Sequence, residues 1–501
     1  MTGWVVLLDE GVIREFHALC DSSPVRPSVT LLAISVALLS AAPAAAAESR
    51  IVSLEQSGRQ SLAGGYERVY GVAHGVVSGD EDVRGLAAGG LRYSVQYELI
   101  RPARGTRVRA LLVEAENRGS PVFLGALYAE GVAGGPPASA TYRRSVSSFL
   151  RSERLAYARI QWQTGIASDV PASAQGVGEV IVRDLGRLLA RRYPHRVLVG
   201  VSQGAFFVDT FLAEGFNAAP GGGRVFGHAI TVDGNGNWMA INKLAGAGPQ
   251  DAYLRPNGRP LPYRRILRRP RTDPALVDVA NYTDFYRLRA GLTDGRRTPR
   301  GVRRYDWPSP HQSFSPEVVF GGFGCNGGAE MPLNPLRYHP YLRALTRGVA
   351  RGSLPRSRRF ALGPSPPTGP AFNGLPGVAV RVPRTDALAQ PLGGVRFPEV
   401  DLPLGRLAPV SLSPSVTTSA GAVCGNSGGY RPFSGAAVAK RYSRGAYLAR
   451  YGRALARLES GGYVRRADRA AMLRAAAEDY DGRLVRAREL HQAGRDDPSP
   501  G

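Results

Sequence analysis

The segment that most constrains this chain is Gly200–Val201–Ser202–Gln203–Gly204, because of what flanks it. It follows the apolar run Val197–Val199 and precedes Ala205–Leu212, which reads as a helix. A short buried run that turns sharply into a helix is a strand in need of neighbours on both sides. The two glycines leave room for a strained turn that lifts the serine hydroxyl off the end of the strand. The feature therefore predicts an α/β fold built on a parallel sheet.

The rest of the chain carries the same alternation. Strand-like runs fall at Leu91–Ile100, Val108–Val113, Leu155–Gln161, Arg196–Gly200, His228–Val232, Leu276–Ala280 and Val302–Trp307. Between them, Gly178–Arg192 places Val180, Val182, Leu185, Leu188 and Leu189 at helical spacing. This predicts a mostly parallel central sheet with helices on both faces over residues 91–350, with 243–275, rich in Gly, Pro and Arg, read as a lid insertion. Residues 48–90 read as an N-terminal strand extension and 351–430 as a Pro-rich extended wrap. Residues 431–501 read as C-terminal helices, with Tyr447, Tyr451, Leu455 and Leu458 on one buried face.

Residues 1–47 stand apart. The apolar run that begins at Val29 follows Arg26 and ends in Ala45–Ala46–Ala47, the pattern of a signal peptide cleaved after Ala47, although Asp9, Glu10, Glu15 and Asp21 make an unusual acidic leader. A secreted or extracytoplasmic location follows, with no membrane span after cleavage. Export leaves Cys325 and Cys424, both in small-residue loops, and an oxidising compartment predicts a disulfide between them. The net charge of +24 invites a nucleic-acid partner. Against it, 62 of the 64 basic residues are Arg, scattered through Ala, Gly and Pro, and no nucleic-acid-binding motif accompanies the clusters Arg264–Arg271, Arg296–Arg304 and Arg356–Arg359. Those clusters read as solvated loops, so no specific nucleic-acid partner is expected.

A serine hydroxyl needs a base to become a nucleophile, and the base needs an orienting carboxylate. Where a serine sits on a strand-to-helix turn of this kind, the chain order is Ser, acid, His. That order removes His17, His74 and His195, and His228 precedes any plausible acid. His339 opens a helix and reads as a packing residue, whereas His311 follows the last core strand through Pro308–Ser309–Pro310. His311 is the expected base. For the acid, Asp284 lies four residues past one strand and Asp233 directly past the strand before it; Asp284 is preferred and Asp233 is the alternative. Asp278 and Asp306 lie within strands and read as structural. The backbone N–H of Gln203, with one from Arg118 or Gly119, would form the oxyanion hole. No His-Glu-x-x-His or clustered Cys and His spacing occurs, so neither metal nor cofactor is expected.

Taken together, Tyr66–Gly75, Asn117–Gly119, Ile160–Gln163, the Ser202 segment, Tyr305–His311, Pro332–Pro335, Leu354–Ser357 and Cys424–Phe433 resemble the secreted bacterial α/β-hydrolase domain-containing proteins of unassigned substrate. The resemblance covers nearly the whole chain after residue 47. It implies the α/β-hydrolase fold and hydrolase chemistry, and it supports His311 through the stretch similar to Tyr305–Pro308. In the segment Asn281–Asp284 this chain has Tyr282 where relatives often carry Glu, which leaves Asp284 as the carboxylate there. The expected activity is a serine hydrolase cleaving a small-molecule or polymeric carboxylic ester through an acyl-enzyme. A peptidase or amidase with the same triad, and a non-catalytic binding protein on a hydrolase scaffold, are the alternatives.

Overall fold

The structure, a computed structural model, describes residues 48–103, 106–128, 145–163, 170–244, 260–293, 298–310, 335–364, 380–410 and 427–493, with side chains described through residue 482. The leader 1–47, His311, Cys325 and Cys424 lie outside the described residues. In chain order the strands of the main sheet are Arg50–Leu62 (β1), Tyr66–Val77 (β2), Leu91–Pro102 (β3), Ala110–Ala115 (β4), Leu155–Ile160 (β5), Arg196–Val201 (β6), His228–Val232 (β7), Ala275–Asn281 (β8) and Val302–Trp307 (β9). The helices are Val122–Tyr128 (α1), Ser148–Glu153 (α2), Val177–Leu188 (α3), Gln203–Glu214 (α4), Tyr263–Ile266 (α5), Asp284–Arg287 (α6), His339–Arg351 (α7), Pro398–Asp401 (α8), Gly435–Arg441 (α9), Arg444–Ser460 (α10) and Arg469–Ala493 (α11).

The sheet order is β1-β2-β3-β5-β4-β6-β7-β8-β9. Strands β4 to β9 run parallel to one another, while β1, β2 and β3 pair antiparallel and join the parallel part through β3 against β5. This is the α/β-hydrolase fold, and every strand-like run of the core is a strand. The apolar runs arise because β4 and β6 to β8 are covered on both faces: all six residues of β4 are buried. One cluster of the core packs α1, α7 and the C-terminal helices on one face, and a second packs α3 and α4 on the other. Tyr447, Tyr451, Leu455 and Leu458 are buried on α10 as their spacing predicts.

From β4 the chain goes first to β5 on one side and then crosses to β6 on the other, so the strand order reverses between β4 and β6. A crevice opens at the carboxyl ends of the strands at such a switch point, where open α/β sheets bind ligands. Ala115 pairs with Gly200 across that gap.

Two readings of side-chain placement need correction. Arg304 belongs to a cluster that reads as solvated loop, yet it is fully buried on β9, between Asp278 at 2.7 Å and Asp306 at 2.7 Å. Tyr263, in the segment 243–275 read as a lid insertion, is 1% exposed. Its hydroxyl donates to Asp278 Oδ2 and accepts from Arg304 Nη1 at 2.8 Å. A guanidinium without carboxylates nearby belongs in water, but strand pairing sets Asp278 of β8 against this one, and Asp306 lies two residues along its own strand. The sequence pattern holds no trace of that lateral neighbourhood. Arg269, from another cluster, folds back onto the last carbonyls of α4, at 3.2 Å from Leu212 O, 3.0 Å from Ala213 O and 2.9 Å from Glu214 O.

Candidate active site

Ser202 stands between β6 and α4 with φ 54° and ψ −118°. Positive φ is costly for a residue with a Cβ, and such strain persists only where surrounding contacts over-determine it. Here they do. The Ser202 N–H donates to Val232 O at 2.9 Å, and the Ser202 carbonyl accepts the Phe206 N–H at 3.0 Å. A Cβ on Gly200 would lie 2.4 Å from the Gly204 carbonyl carbon, and one on Gly204 would lie 2.2 Å from Ala115 O. The glycines on either side of the serine thus let the first turn of α4 press against the ends of β6 and β4.

The loop after β4 is bound to the same turn. Asn117 and Ser120 exchange both backbone hydrogen bonds, at 3.0 and 2.9 Å, around Arg118 (φ 48°) and Gly119 (φ 77°). The Arg118 N–H donates to Gln203 Oε1 at 2.7 Å. Of the two backbone donors expected from this loop, that of Arg118 is therefore engaged by the side chain that follows the serine. Beneath the loop, Trp162 Nε1 donates to Glu116 O at 3.0 Å, and its ring packs on Phe207 of α4 with centroids 4.1 Å apart. Glu114 accepts the Phe123 and Leu124 N–H groups at the start of α1, and the Tyr157 hydroxyl. Burial pushes its carboxyl up to about 8 even though these donors pull the other way.

The two acid candidates converge. Asp233 follows β7 beside Ser202, since Val201 pairs with Val232, and Asp284 opens α6 just past β8. Both are fully buried. Asn281, the last residue of β8, joins them: its backbone N–H donates to Asp284 Oδ2 at 2.8 Å and its Nδ2 donates to Asp233 Oδ1 at 2.5 Å. Asn235 Nδ2 adds a second donor to Asp284 Oδ2 at 2.9 Å. The Asp233 carboxyl is held well above its ordinary range, first by burial, then by the charge of Asp284 and the hydrogen bond between the two carboxyls. Like charges this close do not both ionise, so the pair holds one proton. Two N–H donors on one oxygen of Asp284 favour negative charge there, and the raised carboxyl of Asp233 favours the proton.

Asn281 also reaches the loop after β9. The Ser309 hydroxyl donates to Asn281 Oδ1 at 2.5 Å, and the Tyr282 N–H donates to Ser309 O at 3.0 Å. The backbone leading to position 311 is thereby pinned beside the carboxylate pair through Ser309. His339 opens α7, 2% exposed, and burial with the charges of Arg343 and Arg337 pulls its ring down to about 3, which fits a packing role. His195 and His228 lie at the opposite, amino-terminal end of the strands.

Asn281, Asn235 and Ser309 were not singled out in the sequence. The run Asp233–Gly234–Asn235–Gly236–Asn237 was a local signal, since such residues tolerate the positive φ seen at 233, 235 and 236. Among the described residues no group of three His, Cys, Asp or Glu side chains is placed to hold a metal, and no helix is long and apolar enough to cross a membrane.

Solved structures similar to the chain include a cold-adapted esterase from an Arctic intertidal metagenomic library, at 12% identity and TM-score 0.30 over 52% of this chain and 92% of that one. Another is the rice cell wall degrading esterase LipA from Xanthomonas oryzae, at 10% identity and TM-score 0.29 over 51% and 90%. A third is a putative acetyl xylan esterase from Bacteroides fragilis, at 12% identity and TM-score 0.29 over 58% and 76%. No curated protein matches the sequence. The family model described as alpha/beta hydrolase domain matches residues 151–474, a span that contains Ser202, Asp233, Asp284 and His311 and well over half of the chain, and the protein belongs to that family.

Proposed function

We propose that the protein is a serine hydrolase that cleaves a carboxylic ester through an acyl-enzyme, with Ser202 as nucleophile, His311 as base and Asp284 as acid. The observation that carries this reading is the backbone of Ser202, held at φ 54° between a buried strand and a helix by glycines that tolerate no side chain. A serine with no chemical task gains nothing from such strain.

In the first half-reaction the Ser202 hydroxyl adds to the ester carbonyl while His311 takes its proton. The Gln203 backbone N–H, at the start of α4, donates to the oxyanion that forms, with the amino-terminal end of the helix behind it. Gly119 is the proposed second donor, because the Arg118 N–H serves Gln203 Oε1. The imidazolium returns its proton to the leaving alkoxide, the C–O bond breaks, and the acyl group stays on Ser202. Water, deprotonated by His311, then releases the acid. Asp284 holds the imidazole tautomer and stabilises its cation, while Asp233, protonated, donates to Asp284 and fixes its orientation.

The test is labelling of Ser202 by a fluorophosphonate, combined with turnover of aryl esters and the matching anilides. Labelling lost in Ser202→Ala and in His311→Ala, with esters turned over faster than anilides, supports the reading. Faster anilide turnover makes the enzyme an amidase, and absence of labelling in the folded protein makes the scaffold a binding module.

A further inference from the structure

At the amino-terminal edge of the parallel strands lies a cavity of 610 Å³ whose walls include Arg107, Arg109, Arg154, Arg192, Tyr193 and His195. Three of these residues directly precede neighbouring strands: Arg109 before β4, Arg154 before β5 and His195 before β6. Their backbones are locked together. The Arg109 N–H donates to Arg154 O at 2.8 Å, and the Leu111 N–H donates to His195 O at 2.9 Å. Arg196 clamps the turn before β6 by donating to Tyr193 O at 2.8 Å and to Val225 O at 2.9 and 2.7 Å.

Several arginines elsewhere face carboxylates: Arg68 and Arg159 bracket Glu98, Arg183 faces Glu81 and Asp184, and Arg343 and Arg465 share Asp468. Among the described residues, none of the four guanidinium groups at this cavity lies in an ion pair with a carboxylate. Arg109 Nε is shielded from water with no hydrogen-bond acceptor. Glu67, on the neighbouring β2, is held by Arg59 and Arg101. Burial pulls His195 down, and its ring is engaged by His228 Nδ1 at 3.3 Å and by the Arg109 backbone, so it lines the cavity without adding a charge.

Guanidinium forks match the oxygens of a tetrahedral anion two at a time. Four of them, two on strand starts fixed relative to one another and two on the adjoining loops, exceed what one monoanion can satisfy. The volume falls within the ~300–1,000 Å³ typical of small-molecule sites. We infer that this cavity binds a small molecule carrying at least two phosphate or sulfate groups. The site is distinct from the crevice at Ser202: the six residues of β6 separate His195 from Ser202, roughly 20 Å at strand rise.

The probes are pyrophosphate and a disulfated disaccharide, titrated into the full chain by calorimetry at about 0.15 M salt, where exposed charges are screened beyond about 8 Å. Saturable one-to-one binding of either probe is expected, and the tighter one identifies the source of the oxyanion. Arg154→Gln and Arg192→Gln, both exposed positions, should each weaken it roughly ten- to hundredfold, the loss of a charge-assisted bond. The double variant R264Q/R265Q removes exposed charge elsewhere and should leave binding within about twofold, less than ~0.5 kcal/mol. Fluorophosphonate labelling of Ser202 and the melting curve verify that each variant is folded. Absence of saturable binding by both probes, or equal weakening in R264Q/R265Q, overturns the inference.

Discussion

Exchanging each buried carboxylate for its amide separates the roles of Asp233 and Asp284. In Asp233→Asn the amide nitrogen can donate to Asp284 where the protonated carboxyl did, and the amide oxygen can still accept Asn281 Nδ2. One neutral donor replaces another, so kcat should fall by no more than about fivefold, the equivalent of one ordinary hydrogen bond, ~1 kcal/mol. In Asp284→Asn an amide oxygen can keep the two N–H donors from Asn281 and Asn235, but the only negative charge of the pair is gone. Loss of the orienting carboxylate costs about 10⁴ in the template triad. The two variants should therefore differ by roughly 10³ in kcat on an aryl ester.

The same pair makes a prediction about pH. The carboxyl of Asp233 is raised in the fold by burial and by Asp284, with Tyr338 packed near both and the Arg287 charge pulling weakly the other way. A raised group contributes stability that is fully present below its unfolded value, about 3.9 for Asp, and is lost as pH climbs toward and through the folded one. Urea melts of wild type and Asp233→Asn should thus diverge as pH rises above about 3.9, the variant gaining relative stability. If Asp233→Asn carries the 10⁴ loss and Asp284→Asn does not, the charge sits on Asp233 and the assignment of the acid is reversed.

Five further outcomes are expected, four from packing and one from export. Gly204→Ala should destabilise by about 1–3 kcal/mol in chemical denaturation, because its Cβ would meet Ala115 O at 2.2 Å, whereas Gly482→Ala, with open space around it in α11, should stabilise by up to ~1 kcal/mol. Ser202→Gly should abolish labelling yet raise stability by about 1 kcal/mol, since glycine adopts positive φ without penalty; unchanged or lower stability would mean the serine backbone is unstrained. Arg304→Met should cost about 3–5 kcal/mol by leaving Asp278 and Asp306 buried without their cation, and a loss below 1 kcal/mol (about the value of an exposed pair) would show that those carboxyls are protonated. Non-reducing peptide mapping of exported protein should recover Cys325 linked to Cys424, and free alkylation of both thiols in the unfolded chain would refute that bridge.

The core strands were legible because both faces of a parallel sheet are covered, so its strands read as unbroken apolar runs such as Leu111–Val113 and Val197–Val199. The serine turn was legible because its physical requirement, two glycines around a strained residue, is written within five positions. The choice between Asp233 and Asp284 was not, because it depends on contacts between segments about 50 residues apart as well as on a local one. Asn281 and Asn235 place one backbone N–H and one amide on the same oxygen of Asp284, and strand register alone brings Asn235 from the β7 loop to the start of α6. Both aspartates follow strands at the same edge of the sheet, and composition near them does not tell which would ionise.

Charge shows the same division more sharply. An Arg-rich chain with net +24 looks like one population of solvated cations, and the sheet sorts it into several. Arg304 is enclosed because the adjacent strand sets Asp278 against it while Asp306 stands two residues along its own strand. Arg269 turns inward to meet the carbonyls that end α4. Arg109 and Arg154 precede neighbouring strands, where Glu153 is taken by Arg347 and Arg351, so parallel pairing sets these two cations side by side. The carboxyl ends hold a pair of acids that must share a proton, and the amino ends hold guanidinium groups that need an anion. Both conditions arise from the register of β4 to β8, which is why they appear only once the strands are placed side by side.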